Sequence, residues 1–251
     1  ADEKLLSIDE VFKEENGEAD YLEETVKRQI CVLKRILQAG YELRSDPKWM
    51  YKQIIEYGLN CFQAEWYTFD PSIRWDIYGL LQIPEEFADF CASLSRFKFD
   101  TAIEIGVYRG RSSYFMCAVM AATNPDIKYT MVDIYDQLDH FEEYKKLLPQ
   151  LQKAVPDTSD DFSGQGFDFV FIDADHSYDG SIRDFDNVGR WSKHMTAFHD
   201  IYAHEYDGEN GGTVRMWKEV CERTQGKMHR IFSKYPDKWM GIGCVYDPDQ
   251  E

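Results

Sequence analysis

Apolar positions along the chain follow two rhythms. In the first, Leu22, Val26, Ile30, Leu33 and Leu37 recur at steps of three and four, which puts one apolar stripe on a helix ending near Gly40. A second helical stretch is expected over 47–57. Residues 61–81 are rich in Trp and Tyr, broken at Asp70-Pro71, and read as a cap or oligomer contact rather than regular structure.

The second rhythm starts at Ile83-Pro84. Proline is tolerated at a first helical position because its missing donor would be unpaired there anyway, and Phe87, Phe90, Cys91 and Leu94 then mark one buried face. Beyond it, strand-like runs at 101–105, 129–134, 167–172 and 196–199 alternate with helical runs at 112–122, 141–152 and 181–191. That alternation predicts βαβ units in an α/β, doubly wound Rossmann-like sheet, parallel and with helices on both faces. The end of the chain departs from it. A helix over 213–222 precedes two strand candidates, 229–234 and 240–246, with a turn at Tyr235-Pro236-Asp237. Strands so close together must pair antiparallel, since a parallel pair needs a crossover of about a dozen residues or more. The expected division is a helical, acidic extension over 1–82, acting as cap, lid or oligomer arm, and an α/β domain over 83–251.

Length and composition fit this picture. At 251 residues and 43% hydrophobic content, one large α/β domain with an elaborated terminus can bury a sizeable core. Twenty-eight basic against 46 acidic side chains leave a net charge of −18, so nucleic acid and anionic membrane surfaces are poor partners. Residues 1–20 carry −6 of that charge and residues 133–175 carry −8. The longest apolar stretch, 114–122, is about half of what a bilayer requires, so no membrane span is expected. Six cysteines lie far apart, without a CxxC pair or a secretory leader ahead of them, and are expected to be reduced thiols in a cytoplasm.

Four motifs carry chemistry. Residues 102–116, AIEIGVYRGRSSYFM, read as a strand, a Gly106-x-x-x-Gly110 turn, and Ser112-Ser113 opening a helix. Glycine lets the backbone approach a ligand closely, and a helix N-terminus presents unpaired N–H groups, although a tight turn without a ligand would look similar. The spacing is neither the dinucleotide fingerprint nor a triphosphate loop. Asp133 ends the next strand, where a carboxylate can accept hydrogen bonds from ribose hydroxyls. In FDFVFIDADHSYDGSIRDFDNV, an apolar run delivers Asp173, Asp175 and His176 to a strand end, and Thr196-Ala-Phe-His199-Asp200 does the same. Oxygen and nitrogen donors arriving on adjacent strand ends can hold Mg²⁺ or Mn²⁺, and His could hold Zn²⁺ or Fe²⁺ instead. Helix caps and solvated turns are the plainer reading, preferred for Asp179 and Asp184. His176, His199 and His204 all fall near these ends, and imidazole is the usual general base. The 202–212 stretch, with Glu205, Asp207 and Glu209 among three glycines, reads as a lid or an ordinary polar loop.

EIGVYRGRSS, VDI, FVFIDADHSYDG and FHD together resemble the class I S-adenosylmethionine-dependent O-methyltransferases, particularly the branch with macrocin-type sugar O-methyltransferases and cephalosporin-hydroxylase-like proteins. The resemblance spans residues 83–246. It implies that Glu104, Gly106, Tyr108, Gly110 and Ser112 cradle the methionine part of S-adenosylmethionine, that Asp133 holds its ribose, and that Asp173 also contacts the cofactor. It implies a Mg²⁺ or Mn²⁺ site at Asp173, His199 and Asp200, with His where sugar-modifying relatives usually carry Glu, and His176 as base beside Asp173. The acceptor it implies is a hydroxyl of a small sugar, polyol or catechol-like molecule, and a homo-oligomer through the N-terminal region is expected. A third strand with an adenine contact should follow Asp133, but 151–166 reads as polar loop, so that strand is short, degenerate or lost. Two rivals stand beside this reading. One is a metal-dependent hydroxylase or NAD-type dehydrogenase on the same scaffold, and the other a non-catalytic interaction module with a vestigial pocket.

Overall fold

The computed structural model describes residues 18–66 and 71–250. Most of the acidic segment expected at the start of the chain therefore lies outside the described residues. The first helix, α1 (Glu18–Gln38), is followed by a single turn, α2 (Tyr41–Arg44), and by α3 (Pro47–Tyr57), which starts where Asp46 accepts the Lys48 N–H at 2.9 Å. On α1 the buried face is rotated from the expected stripe. Val26, Val32, Leu33 and Ile36 are buried together with the polar Thr25 and Gln29, while Leu22, Ile30 and Leu37 sit at the margin. The buried polar groups explain the shift. Thr25 donates to Asp76 at 2.8 Å, and Gln29 donates to the Tyr78 carbonyl at 3.1 Å while accepting the Tyr144 hydroxyl at 2.6 Å. A buried polar side chain is tolerated when it is satisfied in this way, and here the satisfaction fixes the 76–82 segment against the helix.

Among the described residues between 59 and 80, regular structure is confined to short pieces: β1 (Leu59–Asn60), a 3₁₀ turn at Cys61–Trp66, and β2 (Trp75–Asp76), which runs parallel to β1. Helix α4 (Pro84–Leu94) has Pro at its first turn and buries Phe87, Phe90, Cys91 and Leu94 as expected. The main sheet then follows, with β3 (Thr101–Ile105), α5 (Arg111–Thr123), β4 (Lys128–Val132), α6 (Phe141–Leu147), β5 (Leu151–Ala154), β6 (Phe169–Ile172), α7 (Tyr178–Asn187), β7 (Met195–His199), α8 (Gly212–Arg223), β8 (Met228–Phe232) and β9 (Ile242–Tyr246). Its seven strands lie in the order β5-β4-β3-β6-β7-β9-β8. The first five are parallel, and β9 runs antiparallel to both β7 and β8.

Strand pleating explains the two-sided core. Ala102, Tyr129, Met131, Phe169 and Phe171 point to the layer that contains α1, α3, α4 and α5, whereas Ile103, Ile105, Val170, Ile172 and Phe198 meet α7 and α8. Phe90 of α4 anchors the first layer, with its ring 5.8 Å from Phe171 and 5.8 Å from Phe232. The N-terminal helices share this core with the sheet.

The third strand exists and is short. Leu151–Ala154 pairs in parallel with Tyr129–Val132, and the preceding helix stops at Leu147 rather than continuing to 152. On this edge strand only Leu151 is fully buried, and Gln152 and Lys153 face solvent, so no apolar alternation marks it. Helix α7 begins three residues earlier than expected because the Ser177 hydroxyl accepts the Gly180 N–H at 3.0 Å. Among the described residues no helix is long and apolar enough to cross a membrane, and none of the six cysteines is in a disulfide.

Candidate active site

In an open parallel sheet the ligand crevice lies beyond the carboxyl ends of the strands, and β3, β4, β6 and β7 deliver the motif residues there. They border one cavity of about 680 Å³. Its floor is the turn after β3. Gly106 has φ +88°, its N–H bonds to the Val132 carbonyl at 2.8 Å, and a Cβ there would lie 2.1 Å from the Asp173 carbonyl oxygen. Only glycine allows the first and fourth strands of this sheet to meet so closely at their ends. Gly110, at φ +84°, caps α5 with the Tyr114 ring against its open side.

Asp133, at the end of β4, ties this turn down. One carboxylate oxygen accepts from Val107 at 3.0 Å and Tyr108 at 2.9 Å, and the other accepts from Tyr135 at 3.1 Å. A carboxylate offers about four acceptor positions, so the second oxygen keeps room for a hydroxyl donor. Tyr108 is half-exposed on the cavity wall. Ser112 lines the cavity as well, and its hydroxyl reaches back to Glu104 at 3.2 Å.

Glu104 itself is fully buried beneath the floor, where the Tyr129 hydroxyl donates to it at 2.6 Å. Burial pushes its carboxyl up to about 7 despite these bonds. The unfolded chain would titrate it in the ordinary glutamate range, so stability from this group is fully present below that range and is lost as pH rises through 7. Glu104→Gln, neutral at every pH, is expected to gain on wild type by on the order of 2–3 kcal/mol between pH 5 and pH 8 in urea unfolding. An unchanged difference between the two pH values would show that Glu104 does not titrate in the fold.

The polar centre lies where β6 and β7 end. His199 Nδ1 is 3.3 Å from Asp173 Oδ2 and 3.3 Å from Asp200 Oδ2. His176 Nε2 is 2.8 Å from Asp200 Oδ2 and 3.7 Å from Asp173 Oδ1, and its ring stacks on Tyr206 with centroids 4.5 Å apart. Asp200 adopts φ +61°, and its carbonyl is fixed by the Thr213 hydroxyl at 2.6 Å. Burial opposes charge on every member, but the two imidazoles facing the two carboxylates outweigh it. Asp173 and Asp200 are held below the usual carboxylate range, His199 is raised, and His176 is raised to about 10. Among the described residues, Asp173, His199 and Asp200 each present one donor atom within 4.8 Å of the others, an arrangement able to hold a metal ion.

Other expected residues part company here. His204 sits outside the cluster, beside Asp207 at 3.2 Å. Asp179 is a solvated residue of the first turn of α7, as expected, but Asp184 is not solvated. It is buried, accepts the Ser159 hydroxyl at 2.6 Å, and borders the cavity beside Thr158 and Ser159. Asp157 also lines the cavity and donates its N–H to the Asp133 carbonyl at 2.9 Å, whereas Asp160 is turned to Asn187.

The rest of the cavity wall was not legible from motifs. Tyr78 and Leu80 arrive from the N-terminal extension, Tyr206 from the 202–212 stretch, and Trp239 and Met240 from the turn before β9. That last turn is held by buried Glu86, which accepts from Lys234 at 2.7 Å and Gly241 at 3.1 Å. The Arg109 guanidinium lies 4.9 Å from the Tyr78 ring, and that of Arg111 lies 5.4 Å from it and is paired with Asp139. The aromatic richness of 61–81 was the available signal, but it carried no periodicity.

A methyltransferase domain family model matches residues 103–201, the stretch that contains every strand end described above. The O-methyltransferase TomG from Streptomyces achromogenes, involved in tomaymycin synthesis and solved in complex with S-adenosylmethionine, superposes with a TM-score of 0.50 at 13% identity, covering 67% of this chain and 81% of its own. This is the class I O-methyltransferase-like fold. The S-adenosylhomocysteine-bound methyltransferase PaMTH1 from Podospora anserina gives the same TM-score of 0.50 at 11% identity, covering 67% of this chain and 80% of its own. No curated protein matches the chain in sequence. In this fold the observed sheet order is read, by strand rank, as 3-2-1-4-5-7-6, and the turns after its first and second strands are those of Gly106 and Asp133.

Proposed function

We propose that this chain transfers a methyl group from S-adenosylmethionine to a hydroxyl of a small-molecule acceptor. The observation that carries the reading is the convergence of two half-sites on one cavity. A glycine turn pinned by Asp133 and an Asp173–His176–His199–Asp200 cluster border it together, joined where Gly106 packs on the Asp173 backbone. The residues fit the cofactor. The close approach at Gly106, the remaining acceptor position of Asp133 and the Thr158–Ser159 edge offer a path for the amino acid, ribose and base in turn, and about 680 Å³ lies within the range of small-molecule sites, roughly 300–1,000 Å³. The neighbours' names, one O-methyltransferase bound to S-adenosylmethionine and one methyltransferase bound to its demethylated product, support the same reading.

S-adenosylmethionine, when bound, supplies a methyl group on a positively charged sulfur, open to in-line displacement. The chain's own residues then have two tasks: aligning the acceptor oxygen and removing its proton. Tyr78, Leu80, Trp239 and Met240 wall the acceptor side and exclude water. His176 takes the proton, its ring held by the stack on Tyr206 and the 2.8 Å contact with Asp200. A divalent ion at Asp173, His199 and Asp200, when bound, supplies the positive charge that the carboxylates otherwise draw from the imidazoles, which leaves His176 free to accept. Sugar and polyol acceptors of the macrocin-type branch are the first to try, followed by catechols.

Calorimetry with the demethylated product tests the cofactor half. Wild type is expected to bind it, and Asp133→Ala is expected to weaken binding by about 10- to 100-fold, the loss of hydrogen bonds to a charged acceptor plus a loosened turn. No binding to wild type, with or without added metal, would end the methyltransferase reading.

A further inference from the structure

We infer that the Asp173–His199–Asp200 cluster selects a borderline transition ion of the zinc class over Mg²⁺ and Ca²⁺. The inference rests on the reading of the site just given and goes on to the identity of its ion. The donor set comes first. It is one imidazole nitrogen and two carboxylate oxygens. Mg²⁺ and Ca²⁺ prefer oxygen throughout, and Ca²⁺ gathers six to eight ligands, whereas imidazole suits Zn²⁺, Fe²⁺ and Co²⁺.

Spacing separates zinc-class ions from Mg²⁺ for the two donor pairs that include His199. The two separations from His199 Nδ1 are both 3.3 Å. A tetrahedral ion with bonds of about 2.0–2.1 Å places its donors about 3.3–3.4 Å apart. Octahedral Mg²⁺ at the same bond length brings adjacent donors to about 2.8–3.0 Å.

The frame is also stiff. His199 and Asp200 sit at the end of β7, Asp173 follows β6, and Ile172 pairs with Phe198 in register just before them. The His199 ring is 3% exposed, which leaves little space around it for the water shell that Mg²⁺ keeps, while Asp173 at 20% leaves the cavity side open. Three protein ligands with one open position is the arrangement of catalytic zinc. His176 Nε2, 2.8 Å from Asp200 Oδ2, stands against that carboxylate from outside the ligand set.

The test uses the full chain stripped of metal with a chelator. Co²⁺ is expected to bind one per chain with the intense visible bands of a tetrahedral site. Zn²⁺ is expected to bleach them, and a roughly hundred-fold excess of Mg²⁺ is expected to leave them unchanged. His199→Glu, which makes the donors all oxygen, is expected to lose at least about ten-fold in Zn²⁺ affinity and to let Mg²⁺ compete. The wild-type competition stands by itself if that variant does not fold. Displacement of Co²⁺ by Mg²⁺, absence of any bound ion, or undiminished Zn²⁺ affinity in His199→Glu would overturn the inference. Calorimetry with the demethylated cofactor product separates the two claims. Product binding without Zn²⁺ selectivity sinks only the ion assignment, and Zn²⁺ selectivity without product binding sinks only the methyltransferase reading.

Discussion

Gly106→Ala is expected to abolish detectable binding of the demethylated cofactor product and to lower the melting temperature by on the order of 5–10 °C. Two costs combine. At φ +88° an alanine is held in left-handed backbone, about 1–2 kcal/mol against it. Its Cβ would also lie 2.1 Å from the Asp173 carbonyl oxygen, 2.6 Å from that carbonyl carbon and 2.7 Å from the Ala174 Cα. These are backbone atoms just beyond the end of the paired strand β6, so no side chain can swing aside, and the β3 and β6 ends must part. Parting them moves the turn that Asp133 pins and the residue that supplies Asp173, so both halves of the site suffer from one methyl group. Gly208→Ala is the control, because a Cβ there meets nothing within 4 Å. Thermal unfolding and product calorimetry on the two variants read the result. Wild-type affinity in Gly106→Ala would mean that the close approach does not build the site.

The same glycine shows which features were legible in the sequence. Gly106, Asp133, Asp173 and the His199-Asp200 pair each stand at the end of an apolar run, and a parallel sheet brings such ends together whatever lies between them. Sequence order alone therefore located the half-sites, and the antiparallel β8–β9 pair followed from the short span between them. What remained hidden depends on contacts without a local pattern. β5 is an edge strand with one buried residue in four, so neither period two nor an apolar run exists to be read. On α1 the apolar stripe misled by about one position, because Thr25 and Gln29 are buried through hydrogen bonds to Asp76, Tyr57, Tyr78 and Tyr144. Tyr78, Leu80, Trp239 and Met240 reach the cavity only because α1 and Glu86 hold their loops, a tertiary effect over 48 to 155 positions of sequence. Asp184 looked like a helix cap or solvated turn residue because burial by the 158–162 turn cannot be seen from its neighbours.

His176→Asn is expected to reduce methyl transfer by about 10²- to 10⁴-fold while leaving affinity for the demethylated product and the bound-metal content unchanged. The geometry separates these quantities. His176 lies outside the Asp173–His199–Asp200 donor set, and the Asp133-pinned turn is held by its own hydrogen bonds, so neither ion nor cofactor takes a donor from its ring. Its ring is stacked on Tyr206 and its Nε2 stands beside both carboxylates, which fixes its orientation toward the cavity without making it part of the floor. Asparagine keeps a polar group near Asp200 but has no basic nitrogen at neutral pH, so proton removal is the function lost. The readouts are the single-turnover rate with a saturating acceptor, product calorimetry, and metal per chain. A variant with the wild-type rate would remove His176 from proton transfer. A variant that loses its metal would make the ring a ligand, and the 2.8 Å contact with Asp200 would then have to be read as two donors sharing one ion.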